Sequence, residues 1–153
     1  MANATAIATS FKTELMGGAY HNFSGTNPAR TLNTVDVLKA ALYLTTATTG
    51  AATTAYSATN EVSGTNYTAG GITVTNATAP SSTGTTAFWT PSASLVYSTV
   101  TLSTAFDCVL LYNSSQGNRA ITSNTFGAQT VTASNFTLTM PSNDATNGFL
   151  RIS

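Results

Sequence analysis

The chain has 153 residues and carries very little charge: five Lys and Arg residues balance five Asp and Glu residues, and charged residues make up 7% of the sequence. Soluble proteins usually have about 25%. The sequence lacks the basic surface that binds nucleic acids and anionic lipids, so we expect neither a nucleic acid nor a membrane as partner. The length favours one domain, and a hydrophobic fraction of 42% is enough to form a core.

Hydroxyl and amide side chains take the place of the charged ones, with threonine especially abundant. Threonine is β-branched, fits the pleated surface of a sheet and weakens helices. The composition therefore predicts an all-β protein. A net charge of zero also favours association, which would suit a structural protein present in many copies.

The first residues predict an arm and a short helix. Residues 1–9 are small and polar and are expected to form an extended N-terminal arm. A helix is predicted over 11–16, where Phe11 and Leu15 share one face and Gly17 ends the helix. Two turns are not stable alone, so this helix is expected to dock on another surface. No basic region precedes a long apolar run, so we expect synthesis in the cytoplasm without a signal peptide.

The remaining residues, within a domain predicted at 10–153, show the apolar–polar alternation of short β-strands. The segment 35–46 could also form a helix, but its alternation and Tyr43 favour a strand. Further strands are predicted at 72–75, 86–90, 95–102, 105–112, 120–123, 126–131, 135–140 and 148–152, with 126–131 and 135–140 forming a hairpin. Strands at intervals of roughly 8–12 residues predict a single β-sandwich or jelly-roll-like domain.

A long connection separates the first two of these strands. Residues 45–71 are rich in Thr, Ala and Gly and have few large apolar side chains. Loops without secondary structure rarely exceed about 12–15 residues. A loop of this length is usually functional or packs on a neighbour, so we expect one of these roles for 45–71.

The residue types that carry catalysis or bind metals are few and scattered. His21 is the only histidine, no GxSxG sequence marks a serine nucleophile, and one histidine with one cysteine cannot supply a zinc site. The acidic residues are Glu14, Asp36, Glu61, Asp107 and Asp144. Their number allows a glycosidase pair, but nothing singles one out, and they are too dispersed for calcium. We therefore predict no catalytic residue, no metal site, no cofactor and no enzymatic activity.

Three polar residues have structural roles in this interpretation. Cys108 lies in the most apolar run and is expected to be a buried thiol. Its neighbour Asp107 is expected to be paired or to face the edge of the sheet. Asp36, which precedes the first long strand, is expected to cap a turn.

Aromatic and apolar side chains supply the candidate contacts with partners. Phe88 and Trp89 are adjacent in a predicted strand and therefore point to opposite faces. Trp and Tyr are enriched at interfaces because each combines apolar surface with a polar tip. The predicted partner-contact residues are Ile7, Phe11, Leu15, Tyr56, Tyr67 and Trp89. Exposed aromatic rings could alternatively bind a sugar.

Several segments resemble a recurrent family of small virion structural proteins of tailed bacteriophages. The sequences that carry the resemblance are KAALYLT at 39–45, TTAY at 53–56, EVSGTNYTAGG at 61–71, FWT at 88–90, AFDCVLLYN at 105–113 and FG at 126–127. Their order and spacing match the family over most of residues 10–152, and no catalytic motif is among them.

The resemblance implies a non-enzymatic component of the virus particle. Small Thr-rich β-proteins of such particles commonly serve as capsid decoration, or cement, proteins, and many are trimeric. The expected partners are then the major capsid protein and further copies of the chain, on the capsid exterior. Two alternatives stay open: a tail-associated or receptor-binding module that recognises a host surface glycan, and a small hydrolase.

Overall fold

A computed structural model describes residues 3–8, 11, 35–76 and 78–153. These residues form an all-β fold of two antiparallel sheets, consistent with the predicted β-sandwich. The strands are β1 (Ala6–Ile7), β2 (Leu38–Leu44), β3 (Ile72–Thr73), β4 (Ser81–Thr83), β5 (Thr86–Trp89), β6 (Leu95–Asn113), β7 (Arg119–Leu138) and β8 (Leu150–Ile152). Of the helix predicted at 11–16, only Phe11 is among the described residues. Leu15, predicted as a partner contact, lies outside them.

The larger sheet has the strand order β1-β7-β6-β2-β3, and the smaller one has the order β4-β5-β8. The strand predicted at 35–46 is confirmed as β2, which runs antiparallel to β6 with Ala40 opposite Leu111. Most apolar residues of β2 and β6 are buried together, including Leu42, Leu102 and Phe106. These two strands therefore form the centre of the hydrophobic core.

Two strands are much longer than the sequence pattern indicates. The segments predicted as separate strands at 95–102 and 105–112 are one strand, β6, and those at 120–123, 126–131 and 135–140 belong to β7. The hairpin predicted at 126–140 is therefore wrong, because all of β7 up to Leu138 pairs with β6. Bulges interrupt the pairing at several places, and Thr99 and Ala133 have positive φ. Bulges absorb extra residues without ending a strand, which explains why these breaks in the alternation resemble turns.

The strand β4 was not predicted. All three of its residues are exposed and carry hydroxyl groups, so they show no apolar alternation. The strand forms because Gly84, with a φ of 58°, turns the chain back onto β5, where Thr83 pairs with Thr86.

The segment predicted as an arm is extended, but residues 3–8 lie along their own domain. Ala6 pairs with Ser123 of β7, and Ala8 is buried. The side chain of Asn3 donates to Asp107 Oδ1 at 2.7 Å and accepts from the backbone of Thr49 at 2.9 Å. These contacts make the segment an edge strand of the larger sheet within this chain.

Candidate interaction surfaces

The long loop 45–71 is folded around a buried carboxylate. Glu61 is 9% exposed and accepts hydrogen bonds from Tyr56 Oη at 2.6 Å, Tyr67 Oη at 2.8 Å and the Gly70 backbone nitrogen at 2.7 Å. Tyr67 Oη in turn accepts from the backbone of Leu42 in β2. The carboxylate thus joins three points of the loop and connects them to the larger sheet.

Burial in this region affects the tyrosines that surround Glu61. Desolvation raises the pKa of Tyr43 to about 12 and, together with the negative charge of Glu61, raises the pKa of Tyr112 to about 12. Burial also raises the pKa of Tyr67 well above its usual range, with Glu61 adding to the effect. These phenols therefore stay protonated and act as hydrogen-bond donors, as Tyr112 does towards the Gly70 carbonyl at 2.8 Å.

Two glycines let the loop backbone approach the sheet closely. A Cβ at Gly64 would overlap the carbonyl oxygen of Thr101 in β6, and a Cβ at Gly71 would overlap that of Ala40 in β2. Gly71 also has a φ of 71°, which disfavours other residues. The loop has the irregular structure that its composition indicated, and these contacts give it a fixed path.

The predicted partner-contact residues occupy different environments, and their contact role stays a prediction. Tyr56 and Tyr67 are half-buried and bonded to Glu61. Ile7 is half-buried in β1, whereas Phe11 and Trp89 are buried. Trp89 donates from Nε1 to the Thr78 carbonyl at 2.8 Å.

Phe11 and Trp89 nevertheless line the same apolar cleft, whose volume is about 160 Å³. Phe88 and Leu150 complete its walls, and Ile152 at its border is 44% exposed. The cleft can accept an apolar side chain without a hydrogen-bonding partner. It brings together two of the six residues singled out in the sequence.

The C-terminal two-thirds of β7 presents a long polar surface that the sequence analysis missed. Most side chains of residues 125–138, here called the β7 rim, are exposed, and none is charged. In the described part of the chain, β1 covers β7 only at Thr122 and Ser123, and no strand pairs with the outer side of the rim. The inner side chains Phe126 and Phe136 pack instead on the core residue Phe106.

A groove of about 490 Å³, here called the β1–β8 groove, lies between the edge strands of the two sheets. Its walls include hydroxyl groups, an aromatic ring, an amide and a guanidinium group. The residues that supply them are Thr5, Thr86, Thr122, Asn124, Phe149 and Arg151.

Three further chemistry-bearing residues have structural roles, whereas His21 and Glu14 lie outside the described residues. Cys108 is fully buried, as predicted, and Thr49 Oγ1 lies 3.1 Å from its sulfur. Asp107 is paired with Asn3, as predicted. Asp36 is buried and accepts from Asn113 Nδ2 at 2.7 Å and Gln116 Nε2 at 3.2 Å, next to the β6–β7 turn.

The described residues contain neither a candidate metal site nor a helix that could span a membrane. No three acidic, histidine or cysteine residues in this part of the chain are grouped so that they could hold a metal ion. No helix within it has the length and apolar character needed to cross a membrane.

Comparison with known proteins does not assign the chain to a group, because no family model, curated protein or solved structure matches it. The geometry described above therefore defines an all-β chain with two candidate contact surfaces, the β7 rim and the apolar cleft, and a polar groove between its sheets.

Proposed function

We propose that the chain is a structural protein of a bacteriophage virion, which decorates the capsid exterior and bridges neighbouring subunits of the major capsid protein. The sequence resemblance to small virion proteins of tailed phages supports this proposal. The β7 rim is the single structural observation that carries it, because a long uncharged surface rich in hydroxyl and amide groups suits a permanent contact with protein.

The chemistry of the rim supports a contact that resists changes in salt. Interactions between exposed charges weaken as ions screen them, whereas hydrogen bonds between neutral groups do not depend on charge. Residues 125–138 offer hydroxyl and amide side chains without one charged group. Exposed strand edges usually carry charges that prevent pairing with other chains, and this edge has none.

The apolar cleft adds a second point of contact. A buried pocket filled by one large apolar side chain is a common centre of protein interfaces. We assign the cleft beside Trp89 and Ile152 to such a side chain of the major capsid protein. In a homotrimer, which we propose as the assembled form, three copies of rim and cleft would act together, so modest contacts would suffice.

Copy number in purified particles tests the proposed location. A decoration protein occurs in hundreds of copies, so its band in quantitative gel densitometry should be comparable with that of the major capsid protein. Tens of copies or fewer would contradict the decoration role and favour the tail-associated alternative, in which the chain contacts a host surface glycan.

Charge placed on the rim tests the proposed surface. Thr132 is exposed in β7, and Thr85 is also exposed, in the β4–β5 turn. We expect Thr132→Lys to weaken rebinding to particles stripped of the protein, and Thr85→Lys to leave it unchanged, with both variants folded by circular dichroism. Equal rebinding of both variants would exclude the rim as the contact.

A further inference from the structure

The β1–β8 groove contains a hydrogen-bond donor that its own chain does not use. Asn124 Nδ2 is buried and is the one side-chain nitrogen or oxygen of the described residues found buried without a hydrogen-bond partner. A buried polar group without a partner destabilises the folded chain. Asn124 lines the groove, and rotation of its amide towards the groove would bring Nδ2 within reach of an acceptor atom there.

A second donor lies in the same groove. Arg151 is exposed and donates from Nη1 to the Thr146 carbonyl, which uses one of the five N–H groups of a guanidinium. The nearby Asp144 is occupied by the backbone nitrogens of Thr146 and Asn147 at 2.8 Å and 2.7 Å, and it does not line the groove. The guanidinium of Arg151 therefore has further N–H groups that can donate to a ligand in the groove.

The other walls fit a ring that carries several hydroxyl groups. Thr86 supplies a hydroxyl group, and the half-buried ring of Phe149 supplies a flat apolar surface. The volume, about 490 Å³, lies within the roughly 300–1,000 Å³ that is usual for ligand sites.

We propose that the β1–β8 groove binds an acidic, N-acetylated oligosaccharide. The carboxylate of the sugar pairs with Arg151, an amide or hydroxyl oxygen accepts from Asn124 Nδ2, and a sugar ring lies on Phe149. This binding is an additional activity, and it does not depend on the proposed place of the protein in a virion.

An extended peptide is the main competitor for the groove, and the strand lengths argue against it. Peptide binding by strand addition needs a run of unpaired backbone groups along a sheet edge. The edge strands that border the groove are two residues long in β1 and three residues long in β8. Very short edges are poor templates for strand addition, so side chains dominate recognition here.

Nuclear magnetic resonance titration of the full chain tests the proposal. The acidic probes are a hyaluronan tetrasaccharide and a sialic acid tetramer, and the neutral probe is chitotetraose. We expect at least one acidic probe to shift the side-chain amide signals of Asn124 in a saturable way, and chitotetraose to bind at least about 10-fold more weakly, as expected for loss of a charged hydrogen bond.

Three variants separate the site from general effects. Arg151→Gln should weaken the acidic probe by about 10-fold or more, and Asn124→Ala by about 3- to 10-fold, because each removes one donor. Gln129→Ala removes an exposed amide from the same strand outside the groove and should bind like the original chain.

Several results would overturn the proposal. They are the absence of shifts with both acidic probes, equal affinity for chitotetraose, unchanged binding by Arg151→Gln, or shifts confined to backbone amides of β1 and β8 on addition of a Thr-rich peptide. None of these outcomes depends on the copy number in particles, so they test sugar binding independently of the proposed virion function.

Discussion

Tyr67 Oη and Glu61 Oε1 are joined by a hydrogen bond of 2.8 Å inside the long loop. The same phenol oxygen accepts from the backbone of Leu42, at 3.0 Å. One side chain thus connects a buried carboxylate of the loop with a central strand of the larger sheet. The loop is held in place mainly by polar contacts, since it has few large apolar residues of its own.

Removal of the Glu61 carboxylate should therefore release the loop. Glu61→Ala leaves Tyr56 Oη, Tyr67 Oη and the Gly70 nitrogen without their shared acceptor, and we expect a loss of about 3 kcal/mol or more in unfolding free energy. Glu61→Gln keeps one acceptor oxygen and should lose less. Urea unfolding measures both, with the exposed Ser63→Ala as a control. A value for Glu61→Ala within error of the control would show that the carboxylate does not organise the loop.

The close approach of Gly64 to β6 predicts a second large effect. Gly64→Ala places a methyl group against the Thr101 carbonyl oxygen, and the backbone must move to admit it, so we expect a loss of at least about 2 kcal/mol. Gly127→Ala is the matched control, because a Cβ at Gly127 meets nothing within 4 Å. Thermal unfolding of the two variants compares them, and equal midpoints would contradict the described path of the loop.

The contacts of Asn3 predict that the N-terminal segment stabilises its own domain. Asn3→Ala removes the donor to Asp107 and the acceptor for Thr49, and we expect a loss of about 2 kcal/mol in urea unfolding. Gln129→Ala, which removes only a local bond to Gly127, should change little. If Asn3→Ala were as stable as the original chain, the side-chain contacts of Asn3 would not be what holds residues 3–8 on their own domain.

The buried tyrosines predict a loss of stability in alkali. Both Tyr43 and Tyr112 have a pKa of about 12 in the folded chain, against 10.0 ordinarily. Below pH 10.0 both are protonated in the folded and unfolded states, so their contribution is constant. Between pH 10.0 and about 12 the two tyrosines lose their protons in the unfolded chain but keep them in the folded chain. The free energy of unfolding therefore falls as pH rises. Urea unfolding from neutral to alkaline pH should show this fall, and a smaller one in Tyr112→Phe. An equal slope in that variant would contradict the assignment to Tyr112.

The burial of Cys108 predicts that its thiol reacts slowly with thiol reagents in the folded chain. Burial raises its pKa, so both exposure and the thiolate fraction are low, and thiol reagents should label it only on unfolding. Cys108→Ser should cost about 1 kcal/mol, near the low end of the usual 1–3 kcal/mol, because Thr49 Oγ1 can bond the new hydroxyl. Rapid labelling of the folded chain would contradict this position.

The sequence predicts the fold class and most strand positions, but not the strand lengths. Alternation locates β2 and the two halves of β6 because their apolar side chains face one core. It fails at residues such as Thr99 and Ala133, where positive φ and a bulge continue the strand. A bulge depends on the partner strand, so a local pattern cannot distinguish it from a turn.

The surfaces were less accessible to sequence reasoning. Glu61 becomes the centre of a tyrosine cluster only when the loop folds. Two tyrosines within six residues of a lone acidic residue are nevertheless a sequence signal from which this cluster can be predicted. The absence of charge from 124 to 143 was visible in the sequence and identifies the β7 rim once the strand is known. The β1–β8 groove unites Thr5, Asn124 and Arg151, which no spacing rule connects.

The pairing of β1 with β7 also determines when the chain can fold during synthesis. Ala6 must find Ser123, and β2 must find β6, whose pairing residues follow it by some 60 to 75 positions. Proteins with such distant pairings fold slowly. The ribosome therefore releases most of this polypeptide before either half of the larger sheet has its partner, and the newly made strands carry too little charge to repel one another until then.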